Sequence, residues 1–430
     1  MQVKMLLKKP KLFSIIKHRK EELPKEQFIK DMIAGVIVAV IALPLSIALG
    51  ISSGVTPEKG LITAVVAGLF ISIFGGSRVQ IGGPTGAFVV IVYGIIDKHG
   101  INGLIIATFM AGIILVLLGL FNMGNLIKYI PKSITIGFTA GIAITLFSTQ
   151  VKDMLGLTIK NVPSEFIAKW GVYISNINSI NILTLILTIL SILIIVFTPK
   201  IVSTIPGSLV ALIVVSIVTA MFNLPVETIG STFNNISAAI PFPTLPNVGM
   251  EKVVDLIGPA VTIAFLAAIE SLLSAVVADG MINKEHDSNA ELIGQGLANM
   301  GSAFFGGLPA TGAIARTAAN IKNGGRTPIS GIVSALVLLL IMELLMPLIK
   351  YVPLAVLGGI LAVVSFNMCE AKELKETLLS NKVNMIELLL TFVLTVVCDL
   401  VIAIIVSMTV HIVISQITKY KDNKQLKEIA

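Results

Sequence analysis

The sequence is 430 residues long, 55% hydrophobic and only 13% charged, with a mean hydropathy of +0.96. Soluble domains carry about 25% charged residues, so this chain has too few charges to cover a water-facing surface and belongs to the integral membrane class. The formal net charge of +7 fits basic residues gathered in cytoplasmic loops and gives no reason to expect nucleic acid as a partner.

Residues 1–30 hold nine Lys/Arg and no apolar core of signal-peptide type, so they are expected to be a retained cytosolic basic segment. Apolar positions from Leu6 to Ile29 are interspersed with Lys8, Lys9, Lys11, Lys17, Arg19 and Lys20. That pattern suits a helix on an anionic membrane surface, or equally a solvated basic tail.

Apolar runs between charged or Gly/Pro-rich breaks then predict spans at Met32–Gly50, Gly60–Gly75, Pro84–Ile96, Gly103–Phe121, Ser133–Thr149, Ile180–Phe197 and Ser203–Phe222. They continue at Val253–Asp279, Asn289–Phe305, Thr311–Ile321, Ile329–Met346, Pro353–Phe366, Val383–Cys398 and Leu400–Ile417. A helix needs about 20 residues to cross the hydrocarbon, and the third and tenth of these fourteen segments are too short. With the N-terminus inside, cytoplasmic segments hold 23 of the 31 Lys/Arg and external ones 7, while Arg316 lies inside a span. This asymmetry predicts a multi-pass inner-membrane protein with both termini cytoplasmic.

Gln150–Ser179 and Asn223–Lys252 are too long and polar to be turns and fall outside in this topology. The second, with Pro225, Pro241, Pro243 and Pro246, reads as an ordered loop or short strand, and Asn367–Asn384 as a short cytosolic helix. Nothing after Lys419 is long enough to fold, so no soluble C-terminal domain is expected. Cys369 and Cys398 have no metal-ligand spacing and give no ground for a disulfide.

A weak internal repeat organises the spans. Gly82-Gly83-Pro84-Thr85-Gly86-Ala87-Phe88 opens the third segment, and Leu308-Pro309-Ala310-Thr311-Gly312-Ala313-Ile314 opens the tenth. Each sits third in a block of seven, an odd number, so the second block enters the membrane with opposite polarity. The expected organisation is a first inverted repeat at 31–222, an extracytoplasmic connecting loop at 223–251, a second repeat at 252–418 and a short cytosolic tail at 419–430. Inverted repeats with interrupted short helices are a transporter architecture, with the substrate held where the half-helices meet. A helix that starts inside the membrane leaves its first N–H groups unpaired, and these, with the positive dipole end, attract an anion. Gly86 and Gly312 let a ligand approach backbone, and Thr85 and Thr311 add hydroxyl donors.

Charges at membrane depth are costly and point to a cavity or a partner. Arg316, in the tenth segment, is expected to add positive field at the anion site or to form an ion pair with Glu270. Glu270, in the middle of the eighth span, is a candidate coupling group for H+, or for Na+ together with Ser274 at i+4. Asp279 and Asp399 lie near span ends, Glu343 and Glu387 lack polar companions in the sequence, and His411 is a lone histidine on an apolar helix, read as structural. No Ser-His-Asp, metal-ligand or phosphate-loop constellation appears, so the chain is not read as an enzyme and no cofactor is expected.

Several runs carry a family resemblance. Asp31-Met32-Ile33-Ala34-Gly35, Leu43-Pro44-Leu45-Ser46-Ile47-Ala48, Phe74-Gly75-Gly76-Ser77 and Gln80 to Phe88 resemble the sulfate permease (SulP) family of anion transporters. So do Glu270-Ser271-Leu272-Leu273-Ser274-Ala275, Ala278-Asp279-Gly280, Asn299, Gly312 to Thr317 and Gly325 to Gly331. The resemblance implies an all-α fold of seven plus seven inverted spans divided into core and gate domains, a homodimer in the lipid bilayer, and elevator-type movement. It implies a substrate among sulfate, bicarbonate, chloride, oxalate and dicarboxylates, bound by Thr85, Gly86, Ala87, Phe88, Thr311, Gly312, Ala313, Ile314, Ala315 and Arg316, with Glu270 beside them. The family usually ends in a cytosolic STAS domain that this chain lacks, which weakens the dimer inference. Alternatives at this stage are an uncoupled anion exchanger or channel, and a nucleobase–cation symporter of the same fold. Arg316 speaks against the last, because a neutral ring gives a buried cation nothing to hold.

Overall fold

Long apolar runs satisfy their backbone inside lipid only as helices or closed barrels, and every predicted span appears as a helix. The structure, a computed structural model, describes residues 10–18, 23–124, 131–202, 205–233, 236, 239, 241–243, 250–398 and 400–429. In the first half α1 (Lys11–Lys17), α2 (Lys25–Ser52) and α3 (Pro57–Phe74) precede a two-residue strand β1 (Gly82–Gly83). There follow α4 (Gly86–Leu120), α5 (Lys132–Leu155), α6 (Phe166–Ser175), α7 (Ile182–Ile201), α8 (Gly207–Met221) and the single turn α9 (Ile229–Thr232). The second half runs α10 (Met250–Ile282), α11 (Ser288–Phe304), β2 (Thr311–Gly312), α12 (Ile314–Lys322) and α13 (Ile329–Ile349). It closes with α14 (Leu354–Met368), α15 (Ala371–Ser380), α16 (Lys382–Val397) and α17 (Leu400–Ile429).

Gly100 breaks α4 at φ 68° and ψ −178°, which separates the predicted third and fourth spans. Among the described residues, eight helices are long and apolar enough to cross a membrane by length and composition. The helices of other predicted spans are shorter, down to the nine residues of α12. Phe197, Phe222, Leu344, Leu348 and Phe366 stand exposed, as side chains that face acyl chains must. Inside, helices approach through small residues, as where Gly112 of α4 lies against Gly296 of α11.

Two groups of helices result. α2, α3, α4, α10, α11, α12 and α13 pack mainly on one another, and α5, α7, α8, α14, α16 and α17 form the second group. They meet where α4 packs on α5 and α2 on α14. This is the expected division into core and gate.

The structure differs from the sequence expectation at three places. Gln150–Ser179 contains α6, held by Trp170 Nε1 donating to Ser148 Oγ at 3.0 Å and the Tyr173 hydroxyl donating to the Ser148 carbonyl at 3.0 Å. Ten residues are too few to register as a span. α1 buries Leu12 and Ile15 and donates its first N–H to the Gly75 carbonyl at 3.1 Å. That face packs on protein, while Phe13 and Ile16 face outward; Lys8, Lys9, Arg19 and Lys20 lie outside the described residues. In the 223–251 connection Thr228 forms an antiparallel bridge with Pro353, in keeping with the ordered loop or short strand expected there; Pro246, like Asp399, lies outside the described residues. Glu387 does have polar companions: it accepts from Ser133 Oγ at 2.5 Å and pairs with His411 Nδ1 at 2.8 Å. Three helices supply these groups, so no local pattern could show them together.

Candidate functional site

The two short segments meet. β1 and β2 pair antiparallel, Gly82 opposite Gly312 and Gly83 opposite Thr311. The Ala313 N–H donates to the Ile81 carbonyl at 2.9 Å and extends the ladder. From this pair α4 and α12 depart in opposite senses, so their N-termini lie side by side within the core group. The crossing needs glycine. Gly83 sits at φ +153°, and a Cβ there would collide with Arg316 Nη1, while one on Gly312 would overlap the Gln80 amide.

Neither helix tip is closed by its own N-cap side chain. Thr85, which precedes α4, instead donates its hydroxyl to Glu270 Oε2 at 2.8 Å. Ala313, which precedes α12, has no side-chain oxygen to offer. Apart from the Phe88 N–H, which donates to the Thr85 carbonyl at 3.3 Å, first-turn N–H groups of both helices therefore remain for a ligand or water. Thr311 directs its hydroxyl to the Ala267 carbonyl at 3.0 Å, one turn before Glu270 on α10. Both threonine hydroxyl hydrogens are thus used within the protein, and the donors the arrangement offers outward are backbone. Ala87 and Phe88 are buried, whereas Ile314 and Ala315 are exposed at the tip of α12.

Arg316 is 2% exposed. Its Nη2 donates to Ser46 Oγ at 3.2 Å and to the Pro84 carbonyl at 3.4 Å, and among the described residues its Nη1 has no acceptor. Among the described residues no carboxylate pairs with it, so the ion pair with Glu270 that the sequence allowed is not formed. The guanidinium rests on neutral oxygens with its charge uncompensated. Ser274 Oγ donates to Thr317 Oγ1 at 3.4 Å, and Thr317 Oγ1 accepts from the Ile81 N–H at 3.1 Å, which ties α10 and α12 to the approach of β1.

Sequence reasoning missed Glu291 and Gln295 and gave Asn299, noted in the family resemblance, no part in the frame behind these parts. Glu291, wholly buried on α11, accepts at Oε2 from the N–H groups of Gly76 and Ser77 at 2.8 and 2.9 Å. At Oε1 it accepts from Gln80 Nε2 at 3.0 Å and Gln295 Nε2 at 2.8 Å. One carboxylate therefore organises the loop that delivers β1. Asn299 does the same for β2: its Nδ2 donates to the Ala310 carbonyl at 2.8 Å and its Oδ1 accepts from the Ala310 N–H at 2.9 Å. Glu291, Gln295 and Asn299 recur every fourth residue, and that polar stripe on a span was the available signal.

A profile of the sulfate permease family matches residues 28–393. The chain belongs to the sulfate permease family. Bacillus subtilis YvdB, provisionally named a sulfate transporter, is 45% identical over 381 residues, covering 88% of this chain and 72% of its own length. The bicarbonate transporter BicA of Picosynechococcus sp. is 33% identical over 394 residues, covering 87% of this chain and 68% of BicA. Among solved structures, the transmembrane domain of a cyanobacterial bicarbonate transporter BicA superposes with a TM-score of 0.82 at 31% identity, covering 89% of this chain and 98% of that one. SLC26A9 superposes with a TM-score of 0.85 at 18% identity, over 94% of this chain and 67% of that one, and supports the fold alone. These relatives of the sulfate permease chain are transporters, not enzymes.

Proposed function

We propose that this sulfate permease family chain is a secondary active transporter of small inorganic anions, with sulfate or bicarbonate as substrate and dicarboxylates as further candidates. The names of its relatives supply the substrate class. The observation that carries the reading is the β1–β2 pair, which sets two uncapped helix N-termini side by side with Arg316 directly behind the crossing. Two positive dipole ends and one uncompensated guanidinium favour a negative solute, whose charge replaces the counter-ion Arg316 lacks. The same lack of a partner argues against a neutral nucleobase.

Glu270 is the coupling group in this account. Bonded to Thr85 next to the α4 tip, its carboxylate repels an anion when ionised and ceases to do so on taking up H+, or Na+ shared with Ser274. Alternating exposure follows from the core group sliding against the gate group in the bilayer of the inner membrane, as one protomer of a homodimer with both termini cytoplasmic.

The test is uptake of labelled sulfate, bicarbonate, fumarate and chloride by proteoliposomes, with and without a sodium or proton gradient. Saturable uptake of sulfate or bicarbonate that rises with an inward cation gradient is expected, and Glu270→Gln should abolish the gradient dependence while uptake itself persists. Unitary currents in planar bilayers, or gradient dependence that survives Glu270→Gln, would contradict the reading.

A further inference from the structure

The transport site accounts for Arg316 but leaves a second buried cation unexplained. Lys169 stands on α6, outside the spans, and is 4% exposed. Among the described residues its ammonium makes neither a hydrogen bond nor an ion pair; its contact is the Tyr93 ring, with Nζ 5.7 Å from the centroid. Burial pulls its pKa down to about 8, and no carboxylate pushes back. An ammonium buried without a counter-ion is costly, and a solute anion would supply the missing charge.

Lys169 lines two cavities. The larger, about 860 Å³, reaches from Ala87, in the first turn of α4, to Lys98 and His99 at the break in that helix. It lies between core helices α4 and α10 and gate helices α5 and α16. The smaller, about 210 Å³, runs under α6 beside Tyr93 and Tyr173. Of the carboxylates that face these spaces, Glu165 and Asp255 line the larger cavity together with Lys98, His99 and Lys169. Asp153 and Glu227 line the smaller, together with Lys152 and Lys160.

We infer that Lys169 forms an outer anion-binding site, at which a small oxyanion of the transported class is held between the α6 surface and the tip of α4. The inference takes its direction of traffic from the proposed transport function, but the site itself rests on the cavity and the unpartnered lysine. Because the larger cavity has walls from both helix groups, an anion held there lies on the route by which the α4 tip is reached from the α6 side.

Two measurements test it. In proteoliposomes at pH 7, Lys169→Met should raise the KM for sulfate or bicarbonate about three- to tenfold with Vmax retained, to a value that no longer climbs as pH rises through 8. The unaltered chain should show a KM that climbs as pH rises through 8, because the ammonium is lost there, and Lys169→Arg, charged throughout, should remove the climb. Independently of transport, acetylation of Lys169 by sulfo-N-hydroxysuccinimide acetate, followed by mass spectrometry, should slow when millimolar sulfate or bicarbonate is present. An active Lys169→Met protein with unchanged KM and pH profile, or acetylation indifferent to both anions, would overturn the outer site while leaving the transport reading intact. Protection of Lys169 in a protein that transports no anion would support the site and remove the transport reading.

Discussion

Arg316 and Glu291 are both buried charges, and their surroundings assign them opposite duties. Arg316 has two neutral acceptors and one empty amino group, so it contributes field rather than cohesion. Arg316→Ala is expected to weaken anion binding at least tenfold, about 1.5–3 kcal/mol for a charge-assisted contact. It should change unfolding by less than about 1 kcal/mol, because relief of the uncompensated buried charge offsets the two hydrogen bonds lost at Ser46 and Pro84. Uptake kinetics and thermal unfolding in detergent check the two halves; normal KM with lost stability would reverse the assignment. Glu291 satisfies four donors, and Glu291→Ala strands them. The cost is expected to be about 3–5 kcal/mol, read as a large drop in Tm, and a Tm within a few degrees of the unaltered chain would count against it.

At the scale of elements, the working unit is strand, then half-helix, repeated and crossed. Gly83→Ala puts a methyl group where Arg316 Nη1 lies, at a φ that alanine tolerates poorly, and Gly312→Ala drives one into Gln80. Each is expected to cost about 2–4 kcal/mol and to abolish uptake in protein that still inserts; retention of wild-type uptake by both would contradict the crossing. How much of this was legible follows from the physics. Hydropathy and the paired Thr-Gly-Ala motifs, each closely preceded by proline, disclosed the spans and the two short segments, because lipid imposes length and glycine imposes close approach. The pairing of β1 with β2 was not legible, since two-residue strands carry no periodicity. Glu291 escaped because an acid at the end of a span reads as interfacial until the 75–81 loop is seen to fold over it. α6 escaped because it is held by contacts to Ser148, which lies in another helix.

At the scale of the molecule, two helix groups share an apolar boundary. Leu146, on the gate side, sits in one cluster with core residues such as Leu61 and Val89. A boundary of apolar contacts with few directional bonds is one along which groups can slide. The topology is tested by single cysteines placed in a background with Cys369 and Cys398 replaced by serine. Exposed Lys98 follows the third predicted span and exposed Lys200 the sixth, which the orientation drawn from the basic residues puts on opposite faces of the membrane. An impermeant maleimide applied outside should label Lys98→Cys and spare Lys200→Cys; the reverse pattern would invert the orientation drawn from the basic residues.

The account depends on a negative solute seated between the tips of α4 and α12. An experimental map of the protein saturated with selenate, a strongly scattering oxyanion, tests this directly. A peak within hydrogen-bond reach of the first-turn N–H groups of both helices, near Arg316, is the predicted result. Saturating selenate with that space empty, or the two helix starts found apart, would contradict it.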